Sequence, residues 1–267
     1  MKRLISTLMI FAFALALFGE CALVFEKYTT DTRIKPITRE MIAAQIRIEE
    51  KLSEQTTVNT GEPHKSTPSR QDNGAWMLTL VNDKNPLPDA YKPILKSLSN
   101  GLQFDRRAIE QLNSMLSDAR AQGLSPVVCS AYRSLEYQQK LFDNQVNKQM
   151  SKGLSREQAD IEARKVVAYP GTSEHNLGLA VDIVSLSYQH LDEAQANTAE
   201  VKWLIEHCSE YGFILRYPKD KIDITGVFYE PWHFRYVGID AAKAITENGQ
   251  CLEEYLEIMR QPKEIRV

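Results

Sequence analysis

Apolar residues along this chain recur with two periods, one near 3.6 and one of two, and these periods place most of its elements. Between Thr38 and Gln55 apolar residues fall at 41, 44, 45, 48 and 52, a helical spacing on a polar background. MLTLVN (77–82) reads as a strand, after which NPLP turns the chain. A helix around 105–120 carries Ile109, Leu112, Leu116 and Ala119 on one face, and VVCSAY (127–132) is a short buried strand. Ser134 is a candidate cap for a helix with Leu135, Leu141 and Phe142 facing inward, and Ser155 to Gln158 matches a capping box. AVDIV (180–184) is a strand. Thr198 starts a helix with Val201, Leu204, Ile205 and Cys208 in one stripe, and Gly212 lies just past its end. GFILRY, VFYEP and WHFRYVG supply further strands and connections, and Leu252, Tyr255, Leu256 and Met259 mark a final helix. This irregular mixture lacks a glycine-rich nucleotide-binding turn and predicts an α+β domain, an antiparallel sheet with flanking helices.

The pattern also divides the chain. Lys2 and Arg3 precede an uncharged apolar run from Leu4 to Gly19, extended past Glu20 by CALVF. Residues 1–25 are therefore expected to be a signal peptide or a membrane anchor, with the N-terminus held inside by its basic residues. Large residues at the cleavage position favour an anchor, and either alternative exports the rest. Residues 26–75 read as a stalk or linker, and 76–261 as the folded domain. With 267 residues and 30.4 kDa the chain can bury a sizeable core. Its net charge of −3 leaves no basic surplus for phosphates, so no nucleic-acid partner is expected. Beyond Cys21 the cysteines are Cys129, Cys208 and Cys251, with no C-x-x-C pair; a Cys208–Cys251 bridge is open.

Two segments carry the chemistry: SEHNLGLAVDI (173–183) and EPWHFRY (230–236). His175, Asp182 and His233 are the ligand types of a catalytic zinc site, in which three protein groups leave a fourth position open. Asp182 sits in an apolar strand, where an unpaired charge is expensive and a partner is demanded. Alternation puts Ala180, Asp182 and Val184 on one face, and His233 with Arg235 on the face opposite Trp232, Phe234 and Tyr236. His175 is expected in a loop entering the Asp182 strand. Glu230 falls on the wrong side of an unbroken strand from His233; Pro231 makes a bend the expected remedy. Without further context each residue also has an ordinary structural reading.

SAYRS (130–134), S-x-H-x-x-G-x-A-x-D (173–182) and EPWHFRY together resemble the VanY-type D-alanyl-D-alanine carboxypeptidases. These are zinc peptidases grouped with lysostaphin and the hedgehog signalling domain. The resemblance runs from about Trp76 to Met259 without departure at the motif positions. It implies a hedgehog/DD-peptidase-like catalytic domain over 76–261 and one Zn2+ ion bound by His175, Asp182 and His233. It further implies Glu230 as the catalytic base, Arg133 as a second catalytic and substrate-binding group, and Gln138, Ser173 and Tyr217 as substrate contacts. The implied reaction removes the C-terminal D-alanine from peptidoglycan stem peptides, with D,D- or L,D-specificity open. Such an enzyme belongs outside the bacterial cell membrane, tethered through the N-terminal segment or secreted. Two alternatives remain: a cell-wall endopeptidase of the same fold, and a metal-containing binding module without hydrolysis.

Overall fold

The computed structural model describes residues 74–261, which lie within the compact unit Lys65–Val267. The expected leader (1–25), the helix at 38–55 and nearly all of the expected stalk fall outside the described residues. Among the described residues no helix is long and apolar enough to cross a membrane.

Strands β1 (Leu95–Ser97) and β2 (Gln103–Asp105) pair antiparallel ahead of helix α1 (Ile109–Ala121) and strand β3 (Pro126–Ser130). Helices α2 (Leu135–Met150) and α3 (Arg156–Arg164) come next, then the single turn α4 (Glu174–Leu177) and strand β4 (Ala180–Ser185). The chain continues through α5 (Ala199–His207), β5 (Phe213–Leu215), the short α6 (Ile222–Thr225) and β6 (His233–Tyr236). Helices α7 (Ile239–Glu247) and α8 (Leu252–Arg260) complete the described chain. The main sheet has the order β3–β4–β6–β5 with every neighbour antiparallel, the α+β architecture that the hydrophobic pattern predicts.

Period-two alternation gives this sheet two different faces. Val181, Ile183, Phe213, Phe234 and Tyr236 point to one side and pack with Leu112, Met115 and Leu116 of α1 and Leu204 of α5. Fully buried side chains of this size contribute about 1.5–3 kcal/mol each, so this face anchors the domain. The opposite face carries Ala180 and Asp182, paired directly across the ladder with Arg235 and His233. The apolar layer thus holds rigid the strands from which the polar layer projects.

Three helix starts carry the caps that the sequence offers. Ser134 accepts from Tyr137 N, Thr198 from Val201 N, and Ser155 with Gln158 forms the full capping box. Other expectations are corrected. Segment 77–82 is not a strand: a 3-10 turn covers Ala75–Leu78, and the carbonyls of Met77 and Thr79 accept from Arg235 Nη2 instead of a ladder. The first long helix begins at Ile109, because Asp105 belongs to β2 and its carboxylate holds Arg107. Leu135 is half exposed rather than inward, VFYEP forms no strand, and α7 was not evident from the pattern. α5 stops at His207, and Cys208 opens a 3-10 turn ending at Gly212 in the left-handed region. Cys129, Cys208 and Cys251 are all free thiols, so no bridge joins the last two.

Candidate functional site

The ladder itself assembles the first half of the site. Asp182 stands opposite His233 in the β4–β6 register, and Ser130 stands opposite Asp182 from β3. A register shift between Val128 and Ser130 brings Ser130 to that position. A bulge of this kind bends the strand and re-aims the residues after it. Here the chain leaves the sheet so that Ala131 O meets His175 Nδ1 at 2.6 Å.

His175 lies in the one-turn helix α4, not in a plain loop. Ser173 caps that turn by accepting from His175 N, and Gly178 ends it at φ +86°. Gly178 also lies close to Leu95, whose Cδ2 would be 3.2 Å from an added Cβ, so both conformation and space call for glycine. Arg133 N donates to His175 O, and Asn176 Nδ2 donates to Arg133 O, tying α4 to the end of β3.

Glu230 reaches the centre through a turn at Pro231 and Trp232, in which His233 N donates to Glu230 O. Its Oε2 lies 3.2 Å from His233 Nδ1, and its side chain is 13% exposed. Asp182 Oδ1 lies 3.3 Å from His175 Nε2 and 3.4 Å from His233 Nδ1. The ligand atoms of His175, Asp182 and His233 all fall within 4.8 Å of one another. Neither Asp182 Oδ1 nor His175 Nε2 has a hydrogen-bond partner, although both are buried. Convergent, buried donor atoms without partners fit a divalent cation with nitrogen and oxygen ligands.

The electrostatics agree. Burial, reinforced by Arg133, lowers His175 to about 4, so that ring is neutral, as a ligand must be. Burial acts to raise the Asp182 carboxyl, but His175 and Arg133 outweigh it and hold the group well below the usual carboxylate range. Burial acts to lower His233, yet Glu174, Glu230 and Asp182 together push it up to about 9. That proton answers a demand for positive charge among three carboxylates, and a divalent cation answers the same demand. Glu230 is raised above its ordinary value, chiefly by burial and despite its contact with His233.

The remaining expected residues surround this centre. Arg133 Nη2 donates to Asp182 Oδ2 at 2.6 Å, and its Nε donates to Ser130 Oγ. Gln138 is fully buried: Nε2 donates to Ala168 O at 2.8 Å, and Oε1 lies 3.5 Å from Arg133 Nη1. Its amide therefore braces Arg133 and the segment around Ala168. The Tyr217 ring meets the His233 ring edge-on at 4.8 Å. His190 is exposed, and His207 pairs with Glu210 away from this cluster.

Behind His233 lies an ion network that the motifs alone do not reveal. Glu174 Oε1 accepts from Arg216 Nε at 2.7 Å and Arg235 Nη1 at 2.8 Å, and all three side chains are fully buried. A signal for it was present in the sequence. Two arginines lie within the apolar segments FILRY and WHFRY, and a buried charge demands a partner as Asp182 did.

With this geometry in view, comparison with known proteins is specific. A family model described as VanY, D-alanyl-D-alanine carboxypeptidase, matches residues 101–239. A D-alanyl-D-alanine carboxypeptidase of Enterococcus faecalis is 48% identical over 186 residues, covering 69% of this chain and 67% of that protein. A mutant of the vancomycin resistance D,D-pentapeptidase VanY from a VanB-type cassette, solved in complex with Zn(II), is 47% identical. It aligns at a TM-score of 0.62 over 68% of this chain and 99% of its own. The LdcB LD-carboxypeptidase is 39% identical at a TM-score of 0.60, covering 70% of this chain and 88% of that one.

Proposed function

Because this chain belongs to the VanY family of D-alanyl-D-alanine carboxypeptidases, we propose that it is a zinc carboxypeptidase acting on peptidoglycan stem peptides. The substrate proposed is a stem peptide ending in D-Ala-D-Ala, from which the terminal D-alanine is removed. The observation that carries the reading is the buried His175–Asp182–His233 cluster with the Glu230 carboxylate 3.2 Å from His233. Identity of 48% to a D,D-enzyme, against 39% to an L,D-enzyme, supports the choice of substrate.

His175 Nε2, His233 Nδ1 and an Asp182 oxygen would hold the ion. When bound, zinc lowers the pKa of a coordinated water to about 7 and polarises a carbonyl as a Lewis acid. Glu230 accepts the proton of the attacking water and returns it to the departing amine, a task suited to a carboxyl raised by burial. Arg133 keeps a permanent positive charge beside the site, where a terminal carboxylate or a developing oxyanion meets it. Tyr217 walls the pocket over His233, and Ser173 and Gln138 fix the shapes of the segments that carry His175 and Arg133. The enzyme works outside the membrane. Lys2 and Arg3 before an apolar run support an anchor or export signal in residues 1–25.

The test is digestion of defined stem pentapeptide and tetrapeptide by the full-length protein, read by mass, before and after stripping of divalent ions. Loss of one D-alanine from the pentapeptide, abolished by stripping and restored by zinc, is the expected result. Cleavage of the tetrapeptide alone would move the assignment to L,D-specificity, and cleavage within cross-linked wall material to an endopeptidase. Full activity after exhaustive stripping would end the zinc reading.

A further inference from the structure

Each imidazole in the metal cluster has a second nitrogen, and in both rings an oxygen faces it. In His175 the nitrogen facing away from Asp182 is Nδ1, which meets Ala131 O at 2.6 Å. In His233 it is Nε2, which is buried, makes no hydrogen bond, and lies 3.7 Å from Glu174 Oε2. Glu174 Oε2 is likewise buried and without a hydrogen bond. Two fully enclosed polar atoms of complementary kind thus face each other, with no other partner for either.

The carboxylate that offers this oxygen is rigidly held. Its other oxygen takes Arg216 Nε and Arg235 Nη1. Arg216 is fixed in turn by two bonds to Glu253 of α8, at 2.9 and 2.6 Å. Arg235 is fixed by the carbonyls of Met77, Thr79 and Tyr236, each at 2.9 Å. These partners lie on four separate stretches of chain, so Glu174 cannot swing away from His233 without breaking several charge-assisted bonds.

We infer that Glu174 is the positioning residue of His233, accepting its Nε2–H so that Nδ1 is presented bare toward Asp182 and Glu230. A neutral imidazole carries one N–H, so an acceptor at Nε2 selects the tautomer whose Nδ1 can bind a metal. An anionic acceptor also makes that nitrogen a stronger donor, and loss of such partners typically weakens metal binding by about 10–100-fold. The assignment rests on the proposed zinc site for the placement of the ion. Glu253 of α8, outside the family-matched span of 101–239, touches Arg216 and not the imidazole.

The first test uses the unsubstituted full-length protein, labelled with 15N and loaded with zinc. Its imidazole correlation spectrum should contain one ring bound through Nε2 and one bound through Nδ1 with Nε2 protonated. Two rings bound through Nε2 would overturn the assignment whatever any variant does. The second test is zinc affinity by chelator competition. Glu174→Gln should weaken zinc by about 10–100-fold, whereas Glu253→Gln, which disturbs the same arginine but not the imidazole, should leave affinity unchanged within error. Equal weakening in both variants, or none in Glu174→Gln, would reduce Glu174 to a general structural ion pair. A protein that binds zinc in this way yet cleaves no stem peptide would fail the proposed function alone; one that takes up no zinc would sink both.

Discussion

Arg133 Nη2 sits 2.6 Å from Asp182 Oδ2, while the other oxygen of that carboxylate faces His175 and His233 at 3.3 and 3.4 Å. One carboxylate is therefore divided between a guanidinium and the two imidazoles of the cluster, and the guanidinium sets which oxygen faces the rings. Breaking a fully buried charge pair by removing one partner costs about 3–5 kcal/mol. The Arg133 side chain is 16% exposed, so water moderates the loss. Arg133→Met is expected to lower zinc affinity by about 10–100-fold, measured by chelator competition. Arg133→Lys should recover only part, because a single ammonium lacks the planar fork that also grips Ser130. Unchanged affinity in Arg133→Met would show that Asp182 is oriented by the strand alone.

Glu230 differs from the other acids of the centre in its balance of forces. Asp182 is held low by its cationic neighbours, whereas Glu230 is raised, mainly by burial. Two carboxylates pushed in opposite directions suit two tasks, one always charged and one able to take up and release a proton. Glu230→Gln keeps the size of the side chain and removes the base. Zinc content should stay stoichiometric while kcat falls by about 10²–10⁴-fold. Measured D-alanine release near the unsubstituted rate, with zinc in place, would move the base elsewhere.

Much of this site was legible because two of its three ligands, Asp182 and His233, lie on strands whose period is two. Asp182 and His233 could be assigned to faces by counting, and the antiparallel register then placed them opposite each other. Glu230 needed one further clue, the proline that turns the chain between it and β6. Less could be read where the backbone satisfies itself through side chains. Segment 77–82 has a strand's composition, yet its carbonyls serve Arg235, a partner more than 150 residues away. The bulge at Cys129, which brings Ser130 opposite Asp182, leaves no periodic trace in a short apolar strand. Glu174 stands in sequence as an unspecified position between Ser173 and His175, yet it is the hub of an ion network, because its partners come from segments that only the fold unites.

Gly178 couples the metal cluster to the β1–β2 hairpin. It holds φ +86°, its carbonyl accepts from Asp105 N, and an added Cβ would lie 3.2 Å from Leu95 Cδ2. The left-handed conformation alone costs a residue with a Cβ about 1–2 kcal/mol, and the Leu95 contact adds to it. Gly178→Ala is expected to lower the melting temperature by several degrees, with a secondary loss of zinc affinity as α4 shifts. Calorimetry with and without zinc would separate the two effects. An unchanged melting temperature would mean that α4 can relax without moving His175.

Acid should expose the ion network behind His233. Burial acts to raise the Glu174 carboxyl, but Arg216 and Arg235 outweigh it and hold the group well below the usual carboxylate range. In the unfolded chain the same group titrates near its ordinary value of about 4.3. A folded-state pKa below the unfolded one means that the unfolded chain binds more protons in the interval between them. The stabilisation is therefore complete above about pH 5 and is lost as pH falls toward the folded value. Asp182 is shifted in the same direction and adds to the slope. Melting temperature, recorded with chelator present, should begin to fall below about pH 6.5, where the unfolded chain protonates His175 and the folded ring, lowered to about 4, does not. Below about pH 5 the two carboxyls add to that loss and the fall steepens. Glu174→Gln should melt lower at neutral pH but decline less steeply in acid, since one of the two buried carboxyls held far below the usual range is gone. Parallel acid limbs for the two proteins would place the loss of stability in Asp182 or elsewhere and not in the Arg216–Glu174–Arg235 cluster.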